Sequence, residues 1–243
     1  MNVNWTLYER RLTSHGKTPR ERTRNYAIYN IDLLDNASVA YMPAEVYLPN
    51  STQPFEQDFV FLKSDDNANK YIIARHGEEI ICGSIIVWAD HKWIVTDLDV
   101  DDDLYAKGTI TKSNYELRFV LPDGTEISKP AYIRDVTKYL VGETRKDIIT
   151  VGSSRMSVTV AKDDDTRKIH RGTRFLIDDP DATSTIAYEI TKIDRVTGLI
   201  DGNGVYKFLV VETNVREGDD VVYMVPDNST YTPNEDPDEG GWF

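Results

Sequence analysis

The chain has 243 residues, of which 40% are hydrophobic and 10% aromatic, and its formal net charge is −13. This length suits one large or two small domains, and the apolar content is enough for a buried core. Phosphate backbones repel a chain of this charge, which disfavours a protein that wraps nucleic acid. No apolar run approaches the roughly 18 residues of a membrane-spanning helix, so we expect no membrane partner.

The first 25 residues are polar and basic, although the chain as a whole is acidic. Gly16 and Pro19 interrupt any regular pattern there, and we predict an extended basic arm over residues 1–25 with little structure of its own. We expect this arm to bind a partner through its arginines, because guanidinium groups pair well with carboxylates. The candidate partner-binding residues are Arg10, Arg11, Arg20, Arg22 and Arg24.

Short apolar segments separated by turn residues follow from residue 26, a pattern typical of β-strands. Residues 84–88 and 93–98 flank a turn at 89–92 and predict a hairpin, and the segment Pro122-Asp123-Gly124 predicts another turn. Residues 26–141 therefore form the predicted first β domain, and the glycine and charges at 142–145 predict the domain boundary.

A second β domain is predicted over residues 146–226. Its predicted strands are residues 148–151, 156–160, 174–177, 186–193, 199–200, 206–213 and 221–225. Residues 227–243 hold five acids and no base, so we expect an acidic tail that is disordered until bound. The predicted fold class is all-β, with two small β-barrel or sandwich domains in tandem.

The two halves share a pattern in which an aromatic residue precedes an aspartate by six positions, with glycines before and after. The residues concerned are Gly83, Trp93, Asp99, Gly108 and Tyr115 in the first half, and Gly172, Tyr188, Asp194, Gly198 and Tyr206 in the second. Two interpretations stay open: a duplicated domain, or two meandering sheets that share turn glycines and alternating apolar residues.

The chain carries no motif for catalysis or metal binding. The four histidines lack the spacing of zinc ligands, and we interpret the single cysteine, Cys82, as a small buried hydrophobe. Residues 97–101 begin like a calcium loop, but Asp102 occupies the position at which that loop requires glycine. We therefore predict no enzyme, no cofactor and a solvated acidic turn.

Trp88 and Trp93 lie on the two sides of the predicted hairpin turn. Exposed tryptophans on a β surface can bind sugars, whereas a hairpin also lets the two rings pack against each other across the strands. Packing within the core is the favoured interpretation, and a carbohydrate-binding surface is the alternative.

A series of segments between residues 72 and 118 has a familiar pattern. They are Ile72-Ile-Ala-Arg-His76, Gly83-Ser-Ile-Ile-Val-Trp88, Lys92-Trp-Ile-Val-Thr-Asp97, Leu104-Tyr-Ala-Lys-Gly-Thr-Ile110 and Asn114-Tyr-Glu-Leu-Arg118. This pattern resembles the head-closure or neck proteins of long-tailed bacteriophages that infect Gram-positive-type bacteria.

The resemblance implies a virion structural protein: a small β-barrel that self-associates into a ring beneath the portal and forms part of the head–tail connector. Such a subunit joins the portal or an adaptor protein to tail proteins, lines or seals the DNA channel, and is assembled in the cytoplasm of the host bacterium. Genomic DNA would then pass nearby without specific contact, and an acidic loop could face the channel, where repulsion keeps the duplex mobile. The residues of that loop are Asp99, Asp101, Asp102 and Asp103.

Two alternatives remain: another virion structural protein (a tail terminator, tail tube or decoration protein) and a carbohydrate- or surface-binding β module. Because a net charge of −13 opposes self-association, we expect a monomer in isolation that forms a ring only on a partner.

Overall fold

The computed structural model describes residues 16–35, 40–75, 78, 80–99, 106–121, 124–136, 155–179 and 184–228. The chain divides into two compact units, Met1–Thr111 and Lys112–Phe243. Antiparallel strands dominate both units, which confirms the predicted all-β fold with two β-barrels in tandem.

One helix, α1, precedes the strands and spans Pro19–Asp35. A capping box begins it: the hydroxyl of Thr18 accepts the N–H of Glu21 at 3.2 Å, and the Glu21 carboxylate accepts the N–H of Thr18 at 3.3 Å. Pro19 occupies the first helical position, where its fixed φ favours the helix. The predicted extended arm is therefore wrong from Pro19 onward, while residues 1–15 lie outside the described part of the chain.

Unit 1 is a closed barrel of six strands in the order β1-β2-β3-β6-β5-β4. The strands are β1 Met42–Tyr47, β2 Phe55–Lys63, β3 Asn69–Ala74, β4 Ile85–Trp88, β5 His91–Asp99 and β6 Lys107–Lys112. The predicted hairpin is confirmed: β4 and β5 pair antiparallel around Ala89 and Asp90, which have φ of 51° and 61°. Positive φ at both turn positions suits the right-handed twist of a hairpin.

Branched and aromatic side chains fill the barrel from all six strands. Its fully buried members include Val46, Phe59, Ile72, Ile86, Ile94 and Ile110. Cys82 lies among them with 2% of its surface exposed, which confirms its predicted role as a buried hydrophobe. Burial, with a smaller effect from Asp97, raises the pKa of its thiol to about 11.

Unit 2 is a strongly bent antiparallel sheet in the order β10-β11-β13-β9-β8-β7, with β12 paired to β13. The strands are β7 Tyr115–Val120, β8 Glu126–Asp135, β9 Arg155–Ala161, β10 Arg174–Leu176, β11 Ala187–Asp194, β12 Leu199–Ile200 and β13 Asn203–Thr213. The two end strands, β10 and β7, approach each other and nearly close the barrel. Its core is rich in aromatic rings, with Phe175 6.0 Å from Phe119 and 6.4 Å from Phe208 between centroids.

The predicted domain boundary is wrong. β8 pairs with β9 in unit 2, with Ala131 opposite Val160, so β7 and β8 belong to the second unit and not to a domain over residues 26–141. Unit 1 ends at Thr111 and unit 2 begins at Lys112, and only Ser113 and Asn114 separate β6 from β7 along the chain. So short a connection carries no linker signal in the sequence, whereas the suggestive residues 142–145 and the predicted strand at 148–151 lie outside the described residues.

A second correction concerns residues 221–225, which were predicted as a strand. They belong to a tight turn that is closed by an isolated β-bridge between Asp220 and Val225. The run of apolar residues there mimics a buried strand in sequence, but the first three of them are exposed. Of the predicted acidic tail over 227–243, Asp227 and Asn228 are described and form hydrogen bonds within unit 2, and residues 229–243 lie outside the description.

The shared pattern of the two halves corresponds to a shared local structure. The N–H of Gly83 bonds the Val95 carbonyl at 2.8 Å, and the N–H of Gly172 bonds the Ile190 carbonyl at 2.9 Å. Both glycines have positive φ, 89° and 85°. The likeness does not extend to the last segment, because Tyr115 belongs to unit 2, so the repeat as predicted does not coincide with the two units.

Candidate partner-binding site

The basic side chains of α1 form the site that the sequence singled out. Arg20, Arg22 and Arg24 are all exposed on the first two turns of the helix. Residues four apart share a helix face, so Arg20 and Arg24 lie together, whereas Arg22 lies on another face. The Nε of Arg22 donates to the carbonyl of Gly16 at 3.1 Å. Arg10 and Arg11 lie outside the described residues.

Two tyrosines continue the exposed surface along the helix. Tyr26 is 66% exposed and Tyr29 is 60% exposed. Tyr26 and Tyr29 follow Arg22 at the fourth and seventh positions, the spacing of one helix face. We call Arg22, Tyr26 and Tyr29 the aromatic stripe of α1. Amphipathic helices that dock in a partner's groove use anchors at this spacing.

The start of the helix is fixed by an acidic residue inside the basic segment. The Glu21 carboxylate accepts the N–H of Lys17 at 2.6 Å as well as that of Thr18 at 3.3 Å. These two bonds lower the pKa of Glu21 below its ordinary value. Glu21 therefore caps the helix, while Arg20, Arg22 and Arg24 remain exposed.

Of the predicted acidic loop, the structure describes only Asp99. It ends β5 and is exposed, two residues beyond the exposed Asp97. Asp101, Asp102 and Asp103 lie outside the described residues. Within the described ranges no cluster of three or more His, Cys, Asp or Glu residues could hold a metal ion.

The tryptophan pair lies at one end of the unit 1 barrel. The rings of Trp88 and Phe61 stack with centroids 3.9 Å apart and planes 13° apart, and Trp93 is 6.2 Å from Trp88. Lys70 places its ammonium group 5.7 Å from the Trp88 ring centroid. Trp93 is only 3% exposed, and Phe61 covers one face of Trp88. These contacts favour a packing role over sugar binding.

Sequence reasoning missed a buried ion pair in unit 2. Arg174 donates to both carboxylate oxygens of Asp219, at 2.8 and 2.7 Å, and the two side chains are 1% and 0% exposed. Burial alone would raise the pKa of Asp219, but the bonds from Arg174 and from the N–H groups of Arg216 and Asp227 outweigh it and lower that pKa. The partners are 45 positions apart, and nothing in the sequence marks them as a pair.

The ion pair ties the end of unit 2 to β10. Arg174 also donates to the carbonyl of Asn214 at 2.7 Å, and its backbone N–H donates to the Asn228 side chain at 3.0 Å. Asp219 in turn accepts the N–H of Asp227 at 2.8 Å. Residues 214–228 are thereby held against the sheet.

No family model and no curated protein matches the chain. Among solved structures, MrkH, described as a novel c-di-GMP dependence transcription regulatory factor, aligns with 82% of this chain and 86% of its own. The identity is 10% and the TM-score 0.24, a likeness too low to carry an argument. No helix in the described ranges is long and apolar enough to cross a membrane.

Proposed function

We propose that the chain is a non-catalytic structural subunit of the head–tail connector of a tailed bacteriophage. In this role it forms a ring, joins the portal complex or an adaptor to the tail, and lines or seals the DNA channel. The observation that carries the proposal is α1, a capped helix of 17 residues whose basic and aromatic side chains are exposed. A protein that works by holding neighbours together needs such a docking element.

Two further features support this role. The resemblance implied a small β-barrel, and unit 1 is a closed antiparallel barrel of six strands. The resemblance extends past that barrel, however, because the segment 114–118 belongs to β7 of unit 2. The arginines of α1 also carry positive charge, although the net charge of the chain is −13. A local basic surface of this kind suits a partner with an acidic groove.

The test is incorporation of the protein into particles of the phage that encodes it. Cells that lack the gene are complemented with wild-type protein or with the triple variant R20E/R22E/R24E. We expect the variant to fold but to be lost from particles, leaving heads without tails, because reversed charges repel an acidic groove. A matched control with the same change in charge is R171E/K192E/K207E, at three exposed positions of unit 2.

The location of the protein decides between the proposal and its alternatives. Gold-labelled antibody against the chain should mark the neck in electron micrographs of purified particles. Label along the tail or over the capsid surface would instead favour a tail or decoration protein. Normal incorporation of the triple variant would remove α1 as the docking element, and absence of the protein from particles would overturn the proposed function.

A further inference from the structure

Unit 2 exposes three consecutive large apolar side chains at the end of a turn. Val221 is 43% exposed, Val222 80% and Tyr223 64%. We call residues 221–223 the tip. Single exposed apolar residues are ordinary, but contiguous ones on a soluble protein commonly mark a contact surface.

Hydrogen bonds hold the tip in one conformation. The Asp220 carboxylate accepts the N–H of Val222 at 3.0 Å and that of Tyr223 at 3.1 Å. Asp220 and Val225 exchange two backbone hydrogen bonds of 2.9 Å each, and Arg118 donates to the carbonyl of Tyr223 at 3.1 Å. A segment that is already ordered loses little conformational entropy when it binds.

The buried ion pair fixes the base from which the tip projects. Asp219 immediately precedes the turn, and Asp227, whose N–H it accepts, follows two residues after Val225. Arg174 therefore sets both ends of the turn relative to β10. The tip is thus an apolar projection mounted on a buried anchor, which is the arrangement expected of a preorganised binding element.

Unit 1 carries a surface of matching chemistry on the outside of β3 and β6, which we call the β3–β6 groove. Its apolar lining is formed by Leu62, Tyr71, Ile72 and Ile73, together with Gly108 and Thr109. Leu62 is 43% exposed and Tyr71 is 49% exposed, and the two are cross-strand partners on β2 and β3. Two carboxylates, Asp97 and Asp99, and one ammonium group, Lys107, border the groove.

We propose that the tip of one copy of this chain docks in the β3–β6 groove of the next copy. The apolar side chains of the tip match the lining of the groove. The guanidinium of Arg118 beside Tyr223 complements this border, where the two carboxylates of Asp97 and Asp99 outnumber the one ammonium group of Lys107.

Such a contact joins two different surfaces, so it is heterologous and closes into a ring when the rotation between copies allows it. The inference rests on the proposed function, since it names the contact by which ring subunits join. Three side chains bury far less than the roughly 1,200 Å² of a stable interface. We therefore expect the contact to form only at high local concentration, in line with the prediction of a monomer in isolation.

Cysteine cross-linking between two full-length variants tests the contact. V222C and tagged Y71C are purified separately, mixed, and treated with a short bismaleimide, so that a product of both masses comes only from two different chains. Cys82 is 2% exposed and contributes little background. The matched control replaces V222C with V196C, because Val196 is 78% exposed but lies outside the tip.

We expect the V222C–Y71C product to exceed the V196C–Y71C product severalfold, and R118E added to V222C to reduce it. L62C in place of Y71C repeats the test in case the loss of the tyrosine ring harms the groove. Equal yields with V222C and V196C for both groove positions would overturn the inference. So would cross-linking confined to single chains of the V222C/Y71C double variant, because the tip would then occupy its own groove.

Failure of this inference is distinguishable from failure of the proposed function. If cross-linking fails but the protein is found at the neck of particles, the ring forms through other surfaces. If cross-linking succeeds but the protein is absent from particles, the self-contact stands and the connector role does not.

Discussion

The charged side chains of Arg174 and Asp219 are 1% and 0% exposed, and two hydrogen bonds join them. Removing one partner of such a pair leaves the second charge buried and unpaired, which is strongly destabilising. The expected cost is therefore larger than for any exposed ion pair of this protein, because water screens exposed pairs.

We expect Arg174→Met to lower the free energy of unfolding of unit 2 by about 3–5 kcal/mol. Urea denaturation followed by hydrogen exchange of β10 and β13 measures this change. The control is Arg167→Met, at an arginine whose side chain is 54% exposed. A change as small as that of the control would show that the pair does not hold residues 214–228.

The same pair predicts an acid sensitivity with a defined sign. The pKa of Asp219 is lowered in the folded state, so its contribution to stability is present above the unfolded pKa of about 3.9 and is lost as the pH falls through the folded value. We expect Asp219→Asn to remove this part of the pH dependence of the urea midpoint between pH 5 and 2. A variant with the wild-type acid dependence would contradict the assignment.

Single residues were predictable where their neighbours in sequence decide their environment. Cys82 lies between apolar residues and is buried as expected. Arg174 was not predictable, because nothing near it in the chain reveals a carboxylate 45 positions away. Pairs of this kind depend on tertiary structure, so a lone arginine at the start of a predicted strand looks like any exposed base.

At the scale of elements, α1 shows that a residue that begins a helix can be mistaken for one that interrupts it. Pro19 was interpreted as a breaker, yet proline is favoured at the first position of a helix and Thr18 with Glu21 completes the capping box. The hairpin β4–β5 was predictable because its two strands and its turn are adjacent in sequence. Residues 221–225 have the composition of a strand, but Asp220 binds the backbone of two of them and turns the chain.

The capping box makes a measurable contribution to α1. We expect Thr18→Ala to cost about 1 kcal/mol of helix stability and to speed amide exchange over residues 19–35 about fivefold. Thr23→Ala is the control: its hydroxyl bonds the Pro19 carbonyl from inside the helix at 3.0 Å, and alanine there favours the helix. Equal exchange in the two variants would mean that the cap does not stabilise α1.

At the scale of the whole molecule, the division of the chain follows strand pairing and not composition. The side-chain amide of Asn114 accepts the N–H of Ile133 and donates to its carbonyl, both at 2.8 Å. These are the two hydrogen bonds that a residue of a neighbouring strand would make. The chain therefore enters the second sheet immediately after the first barrel ends. A boundary this abrupt is invisible to a search for glycine-rich or charged linkers.

Fragments test the division. We expect residues 112–228 to fold with a cooperative urea transition, because they contain all the strands of unit 2. Residues 146–226, the predicted second domain, should remain unfolded, because they lack Leu117, Phe119 and Ala131 of the core. Circular dichroism and denaturant titration measure both. Cooperative unfolding of the shorter fragment would restore the boundary near residue 145.

The six strands of unit 1 come from one continuous stretch of the chain, which has a consequence for synthesis. All six strands of the barrel lie within residues 42–112, so the barrel can close while the rest of the chain is still being made. Unit 2 is anchored only when Asp219 and Asn228 have emerged to meet Arg174. At typical elongation rates, the delay between the synthesis of Arg174 and that of Asn228 is on the order of ten seconds. During this time the edge strands of the incomplete sheet are open to misassembly.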